Sequence, residues 1–223
     1  MTQRKGRTIM PLRCAVFASG SGSNFQALLD RQAAGDLHVE FSLFIGNNSK
    51  APAFERARSK NIPVRHCAPS HFPDEHSYID RLLELFREHR VDLIVLAGYM
   101  KKLPYAVVRT YHHRIVNIHP GLLPAFGGKG LYGHHVHEAV LAYGAKVSGV
   151  TVHFVDEEYD HGPIILQETV PVLDDDTPET LASRVLTVEH ASYWRAIEAI
   201  VQGRIRVEGR RALGEVPGKA VVR

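Results

Sequence analysis

The chain has 223 residues, which fits one large domain with a single sizeable core, and its 44% hydrophobic and 23% charged residues are ordinary for a soluble globular protein. Its net charge of +3, with both signs mixed along the chain, argues against a dedicated nucleic-acid binder and suits a small anionic substrate. Its two cysteines lie in apolar segments and no apolar run approaches about 18 residues, so we expect no disulfide framework, a reducing, cytoplasmic compartment and no membrane span.

The first predicted unit is a strand, a glycine- and serine-rich turn and a helix. Residues 1–11 are polar and basic without an apolar core, and we expect a disordered extension rather than a secretory signal. A buried strand is predicted over Leu12–Ala18 and a helix from Phe25, with Ser19–Asn24 between them. This arrangement leaves backbone N–H groups free at a helix N-terminus, where they attract phosphate.

The turn lacks the features of a dinucleotide or triphosphate site. The position three after Gly22 is Phe25, where the dinucleotide fingerprint needs glycine. The second predicted strand, 39–45, ends in Gly-Asn-Asn without the acid that binds ribose, and no Lys-Ser/Thr pair follows the glycines. We therefore predict a cradle for a nucleotide-like monophosphate. The alternative is a plain turn in which serine caps the helix.

The middle of the chain continues the alternation of helices and strands, with predicted helices over 52–60, 74–89 and 104–111 and predicted strands over 62–67 and 91–97. The last of these strands is almost wholly apolar, as a central parallel strand should be. Ligands of such sheets bind beyond the carboxyl ends of the strands, so Gly98–Leu103 is expected to form a pocket wall. Met100 and Leu103 would supply apolar contact, whereas Lys101 and Lys102 could equally be solvated.

The apolar run 114–116 predicts another strand, which ends in polar residues. Asn117 and His119 are two apart, so on an extended backbone their side chains point to the same side. Pro120 and Gly121 stop regular structure directly afterwards. An amide can donate to a developing oxyanion and an imidazole can move a proton, so the pair suits acyl chemistry. The alternative is a capped strand end with a hydrogen-bonded histidine.

A glycine-rich loop over 125–132, expected to be mobile, is followed by a helix over 134–142 that opens with three histidines. His134 and His137 have a spacing that can bind metal, but no third ligand accompanies them, so no metal site is predicted. The loop also carries Lys129, which could reach an anion.

The remaining predicted elements are strands over 147–155, 164–172 and 204–207, a helix from Thr177 to about 202, and a loose tail over 208–223. Asp160 lies in an acidic turn just before Gly162-Pro163, where a tight turn can aim it at a histidine. The alternation of elements predicts one α/β domain over 12–207, a doubly wound, mainly parallel sheet with helices on both faces.

Three motifs together resemble the phosphoribosylglycinamide formyltransferases, folate-dependent enzymes of purine synthesis with a Rossmann-like fold. They are Ser19–Asn24, Asn117–Pro124 and Asp160–Pro163, which occur in the same order and with similar spacing in a likeness that runs from about Cys14 to Gly203. The resemblance implies transfer of a formyl group from 10-formyltetrahydrofolate, as co-substrate, to the amine of glycinamide ribonucleotide, without a metal.

The resemblance also implies roles on the acceptor side of the site. Gly22, Ser23 and Asn24 would hold the ribonucleotide phosphate, and Glu189 would contact the glycinamide ribonucleotide. His153 matches a histidine near that site.

On the transfer side, Asn117 would hydrogen-bond the formyl oxygen, and His119 would transfer a proton or stabilise the oxyanion. Asp160 would raise the pKa of His119 and help to bind the folate. The folate pocket would be lined by Met100, Lys101, Lys102 and Leu103. Glu75 departs from relatives that carry a basic residue there, so no folate contact is inferred for it.

Proteins with other functions would share some of these motifs. Another folate-dependent formyltransferase or a formyl-folate hydrolase would share the Asn-x-His-Pro and Asp-x-Gly motifs. We expect a tRNA formyltransferase or a deformylase to carry an additional domain, and the monophosphate cradle disfavours a sugar-nucleotide formyltransferase. A non-catalytic nucleotide-binding module would explain the serine- and glycine-rich turn alone. The expected partners are small molecules, and monomer and homodimer are both open.

Overall fold

Strands and helices alternate along the computed structural model, which describes residues 11–218. Its strands are β1 (Leu12–Ala18), β2 (Val39–Gly46), β3 (Val64–His66), β4 (Leu93–Leu96), β5 (Ile115–His119), β6 (Val147–Phe154), β7 (Ile164–Pro171), β8 (Ile205–Glu208) and β9 (Arg211–Gly214). Its α-helices are α1 (Ser23–Ala34), α2 (Ala53–Ser59), α3 (Glu75–Glu88), α4 (Tyr105–Thr110), α5 (His134–Tyr143) and α6 (Pro178–Val201). The segment from Gly98 to Leu103 and the segment from Gly121 to Gly133 contain no regular element.

One sheet organises these elements, with the strand order β3-β2-β1-β4-β5-β6-β7-β9-β8. The pairs among β1 to β5 are parallel, and β6 then runs antiparallel to β5, as β7 does to β6. The order reverses between β1 and β4, and ligands of doubly wound sheets bind in the crevice at that switch point. The predicted fold class is confirmed, and the antiparallel strands extend the sheet beyond β5.

The sheet is buried on both faces by two separate apolar clusters. Along β1, Cys14 and Val16 belong to one cluster together with residues of α1 and α6, whereas Ala15 and Phe17 belong to the other with residues of α3 and α4. Alternating side chains of a strand point to opposite faces, so a strand covered twice is apolar throughout. Because β1 to β5 run parallel, their carboxyl ends lie together at one edge of this buried sheet.

Two helices begin at residues whose side chains cap them. Thr177 caps α6 by accepting from the Thr180 N–H, and the Thr180 side chain accepts in return from the Thr177 N–H, which completes a capping box. Asp74 caps α3 through the Ser77 N–H. The two caps fix the residues at which α3 and α6 begin. Residues of α6 then line a cavity at the carboxyl ends of the parallel strands.

The C-terminal prediction needs correction. The predicted loose tail from residue 208 instead includes β9, which pairs with β8 across a turn at Gly209 and touches β7 at its first residue. Val216 is buried in the main core. Four-residue strands are too short to show a periodic pattern, so the hairpin is set by its pairing to the sheet edge. Residues 1–10, most of the predicted extension, lie outside the described part of the chain, as do residues 219–223.

Within residues 11–218, no helix is both long and apolar enough to cross a membrane.

Candidate active site

A cavity of about 760 Å³ opens at the carboxyl ends of β1, β4 and β5. Its volume lies in the range usual for small-molecule sites. All twelve residues predicted from the sequence line it: Gly22, Ser23, Asn24, Met100, Lys101, Lys102, Leu103, Asn117, His119, His153, Asp160 and Glu189. The structure therefore brings the predicted residues together, while their individual roles stay predictions.

The turn after β1 forms a cradle of backbone N–H groups. Gly22 is the N-cap of α1 in a left-handed conformation, with φ 71°, and no side chain caps the helix. The first helical bond runs from Gln26 N to Gly22 O at 2.8 Å, so the N–H groups of Ser23, Asn24 and Phe25 have no partner within the helix. The first turn of α1 holds no acid. Free donors and the helix dipole favour an anion here, and the alternative of a serine cap is not what the structure has.

Side chains around this turn hold it against the neighbouring strands. The Ser19 hydroxyl donates to Asn47 Oδ1 at 2.6 Å and accepts from the Met100 N–H at 2.9 Å. The Arg56 guanidinium donates to Ser21 O at 2.8 Å and to Gln26 Oε1 at 2.9 Å. Arg56 was not predicted as a residue of this turn, because its contacts depend on how α2 packs. The cradle is thus fixed to the wall that follows β4.

Glu189 of α6 lies behind the cradle as a buried carboxyl group. Asn24 Nδ2 donates to Glu189 Oε2 at 3.1 Å, and Asn24 Oδ1 is buried without a hydrogen-bond partner among the described residues. Burial raises the pKa of Glu189 to about 7, and the Asn24 hydrogen bond opposes this shift only in part. Near neutral pH the group can therefore both donate and accept, which suits a polar ligand.

At the end of β5, Asn117 lies directly opposite His153 of the antiparallel strand β6. His153 Nδ1 donates to Phe154 O at 2.8 Å, so when the ring is neutral its Nε2 accepts from Asn117 Nδ2 at 3.2 Å. This bond fixes the orientation of the amide. One N–H of Asn117 remains for a ligand in the cavity.

His119 is buried at the base of the cavity, with 3% of its surface exposed. Its Nε2 lies 2.9 Å from Phe126 O and must donate, because a carbonyl oxygen only accepts. Nδ1 lies 3.6 Å from Asp160 Oδ2, which is too long for a hydrogen bond but close enough for strong attraction once Nδ1 is protonated. Neutral His119 therefore presents Nδ1 as a base.

Asp160 raises the pKa of His119, as predicted, but burial sets the net direction of the shift. Burial lowers the pKa of His119 below the ordinary value of 6.5 and outweighs the raising effects of Asp160 and of the Phe126 carbonyl. His119 is consequently neutral near pH 7, and Asp160 acts by stabilising the cation that forms when a proton arrives.

Asp160 is aimed into the cavity by a tight turn, with φ 53°. Its Oδ2 accepts from the Gly128 N–H at 2.9 Å, and its Oδ1 lies 3.7 Å from His153 Nε2. Burial raises the pKa of Asp160, but His153, His119 and the Gly128 N–H together outweigh burial, so the pKa is lowered and the group is ionised. Asp160 thus faces both histidines and also ties down the glycine-rich loop.

The segment after β4 forms the opposite wall of the cavity. Leu103 is buried, whereas Met100, Lys101 and Lys102 are exposed. Lys102 Nζ lies 5.2 Å from the Tyr159 ring centre, in a cation–π contact. Glu75 lines a smaller neighbouring cavity of about 220 Å³ beside Lys102 and does not line the main one.

The three histidines that open α5 occupy different environments. His134 Nε2 lies 3.5 Å from Glu138 and from Glu179, and His135 Nδ1 lies 3.0 Å from Glu138. His137 is buried in the cavity wall. Among residues 11–218, no group of three or more His, Cys, Asp or Glu side chains is arranged to hold a metal ion.

His137 was not predicted as a cavity residue. The helical spacing of Val136 and Val140 gave a usable signal, because His137 falls on the same buried face.

Comparisons with known proteins agree on one family. A family model described as formyl transferase matches residues 12–197. The chain is 44% identical over 203 residues to the chloroplastic phosphoribosylglycinamide formyltransferase of Vigna unguiculata, covering 89% of this chain and 64% of that protein. It is 37% identical over 187 residues to the phosphoribosylglycinamide formyltransferase of Bacillus subtilis (strain 168), covering 84% of this chain and 93% of that protein.

A solved structure gives the same result. The crystal structure of glycinamide ribonucleotide transformylase 1 from Symbiobacterium toebii superposes with a TM-score of 0.88 at 38% identity. The match covers 96% of this chain and 99% of that one.

Proposed function

The chain belongs to the formyl transferase family, and from this premise we propose that it transfers the formyl group of 10-formyltetrahydrofolate to the amine of 5-phosphoribosylglycinamide. The products are formylglycinamide ribonucleotide and tetrahydrofolate, a step of purine synthesis. One observation carries the proposal: a single cavity joins an anion cradle to an amide, a histidine and a carboxylate suited to acyl transfer.

The cradle and α6 hold the acceptor. The phosphate binds to the N–H groups at the start of α1, where Gly22 lets the backbone approach closely. Glu189 contacts the polar part of the acceptor nearer to the transfer centre, and its position is set by Asn24. The relatives' names, which specify phosphoribosylglycinamide, support this acceptor.

The transfer centre handles the formyl group. The acceptor amine attacks the formyl carbon, a C–N bond forms, and the formyl oxygen becomes an oxyanion to which Asn117 donates its remaining N–H. The proton that leaves the amine goes to Nδ1 of neutral His119. The bond from the formyl carbon to the folate nitrogen then breaks, and His119 returns the proton to that nitrogen.

Asp160 and His153 support these two groups. Asp160 stabilises the His119 cation across 3.6 Å, which offsets part of the cost of a buried charge. His153 orients the Asn117 amide through its Nε2. Both are positioning groups for the formyl oxygen and the moving proton.

The wall formed by Met100, Lys101, Lys102 and Leu103 holds the folate. Met100 and Leu103 offer apolar contact, and the two exposed lysines suit the carboxylates of the folate's glutamate. The proposed partners are these two small-molecule substrates. A cytoplasmic location is supported by two buried free cysteines, which fit a reducing compartment.

Incubation with 10-formyltetrahydrofolate and different acceptor amines tests the proposal. We expect formylated product and free tetrahydrofolate only when glycinamide ribonucleotide is present. Tetrahydrofolate released at the same rate without any amine would identify a hydrolase, and transfer to a different amine would identify another formyltransferase. Ribonucleotide binding without any turnover would leave only a nucleotide-binding module.

A further inference from the structure

His137 is a polar side chain in the cavity wall that the proposed chemistry does not use. It is 4% exposed, whereas His134 and His135 on the same helix are about half exposed and lie beside glutamates. Its Nδ1 is closed to solvent and has no hydrogen-bond partner among the described residues. Buried polar atoms without partners are uncommon in folded proteins, and Nε2 of the same ring is not among these sealed atoms, so the ring can meet a ligand only through Nε2.

The surroundings of His137 decide which of its ring nitrogens can hydrogen-bond a ligand in the cavity. Orphaned N–H groups are rarer in protein interiors than under-satisfied acceptors, so the sealed Nδ1 is best left unprotonated. The proton then lies on Nε2, and Nε2 is the nitrogen available to a molecule in the cavity.

His137 lies on the first turn of α5, next to Val136, near the transfer centre. A Cβ atom at Gly121 would lie 3.1 Å from both His119 Nε2 and Val136 Cγ1, so the first turn of α5 packs directly on the end of β5. The α6 residues Val185 and Glu189 line the same cavity. A ligand that spans from Glu189 to His119 therefore occupies the cavity that His137 also lines.

The charge of His137 limits what it can bind. Burial, and then the neighbouring His134 and His119, lower its pKa to about 4, so it is neutral near pH 7. A neutral N–H donor contributes little to holding a phosphate and suits an uncharged oxygen.

We propose that His137 is a substrate-binding residue whose Nε2–H donates to an uncharged oxygen of the ribonucleotide acceptor, a ribose hydroxyl or the amide carbonyl. The inference rests on the proposed function and adds a contact to an uncharged part of the acceptor. It also explains why a histidine occupies an otherwise apolar face of α5.

Calorimetric binding of glycinamide ribonucleotide, without folate, tests the contact. His137→Leu should weaken binding about 3- to 10-fold, as expected for one neutral hydrogen bond, and leave the KM for 10-formyltetrahydrofolate unchanged. His137→Gln, which keeps an N–H donor, should bind more tightly than His137→Leu. The exposed neighbour gives the matched control, and His135→Leu should bind like the wild type.

Two acceptor analogues locate the oxygen, one lacking both the 2′- and the 3′-hydroxyl and one with a methylene in place of the amide carbonyl. The analogue that lacks the contacted oxygen should bind the wild type and His137→Leu equally. If both analogues keep the full difference between the two proteins, the assigned contact is wrong.

A measurement on the wild type does not depend on the folding of any variant. Imidazole nitrogen NMR should show His137 protonated on Nε2, with the Nε2 proton shifting when glycinamide ribonucleotide is added and not when folate is added. Absence of that shift, or equal acceptor binding by His137→Leu, overturns the inference while leaving formyl transfer intact. A wild type that does not bind the ribonucleotide overturns both.

Discussion

The two ends of the cavity use different chemical groups, backbone N–H groups at one end and side chains at the other. The anion cradle consists of backbone N–H groups from one continuous turn, Ser19–Asn24, that ends in the left-handed Gly22. The transfer centre consists of side chains brought by separate segments: Asn117 and His119 on β5, His153 on β6 and Asp160 in the following turn. A cradle made of backbone tolerates side-chain changes that preserve its conformation, whereas a centre made of side chains depends on each group.

Removing a side chain of the transfer centre should have the largest effect. We expect Asn117→Ala and His119→Ala each to lower kcat about 100- to 1000-fold, the usual cost of losing an oxyanion donor or an acid–base group. The KM for the ribonucleotide should change much less, because the cradle is untouched. Steady-state kinetics with both substrates measures the two parameters separately.

His76→Ala is the matched control for that experiment, because His76 is an exposed histidine of α3 that does not line the cavity. Its kinetics should equal those of the wild type. Near-normal kcat in either of the other variants would remove that residue from the proposed mechanism.

Removing only the charge of Asp160 should have a smaller effect. Asp160→Asn keeps the shape and an acceptor for Gly128, but no longer stabilises the His119 cation, so kcat should fall about 10- to 100-fold, as for a lost charge-assisted hydrogen bond. The measurement is kcat/KM as a function of pH.

The direction of the pH shift follows from the groups around His119. Burial already lowers its pKa below 6.5 and Asp160 partly opposes this, so neutral His119 is lost on the acidic side as pH falls. Without the carboxylate the pKa falls further, and the acidic limb should move to lower pH. An unchanged or upward-shifted limb would contradict the role given to Asp160.

The smallest effect is expected at the backbone cradle and should appear in KM. An added Cβ at Gly22 would lie 2.7 Å from Ala53 Cβ, and a left-handed conformation costs a non-glycine residue about 1–2 kcal/mol. Gly22→Ala should therefore raise the KM for the ribonucleotide about 10-fold, with kcat at saturation changed far less.

Gly20→Ala provides the control within the same turn, since a Cβ there meets nothing within 4 Å. It should leave both parameters near those of the wild type. A kcat loss in Gly22→Ala as large as that of His119→Ala would show that the two ends of the cavity do not act separately.

Much of this contrast was already available from the amino-acid order. The cradle is a local pattern of strand, turn and helix, so its position and its preference for an anion follow from neighbouring residues. The shared side of Asn117 and His119 follows from the two-residue period of a strand. Apolar runs on alternating elements predicted a mainly parallel sheet, which the structure has.

Only the tertiary structure decided how distant segments meet and how far their side chains are buried from solvent. The antiparallel register of β6 places His153 against Asn117, a turn aims Asp160 at His119, and α5 turns His137 into the cavity. The hairpin of β8 and β9 forms because a sheet edge is available to it. The net lowering of the His119 pKa comes from burial, and desolvation is a property of the whole fold that no local sequence pattern contains.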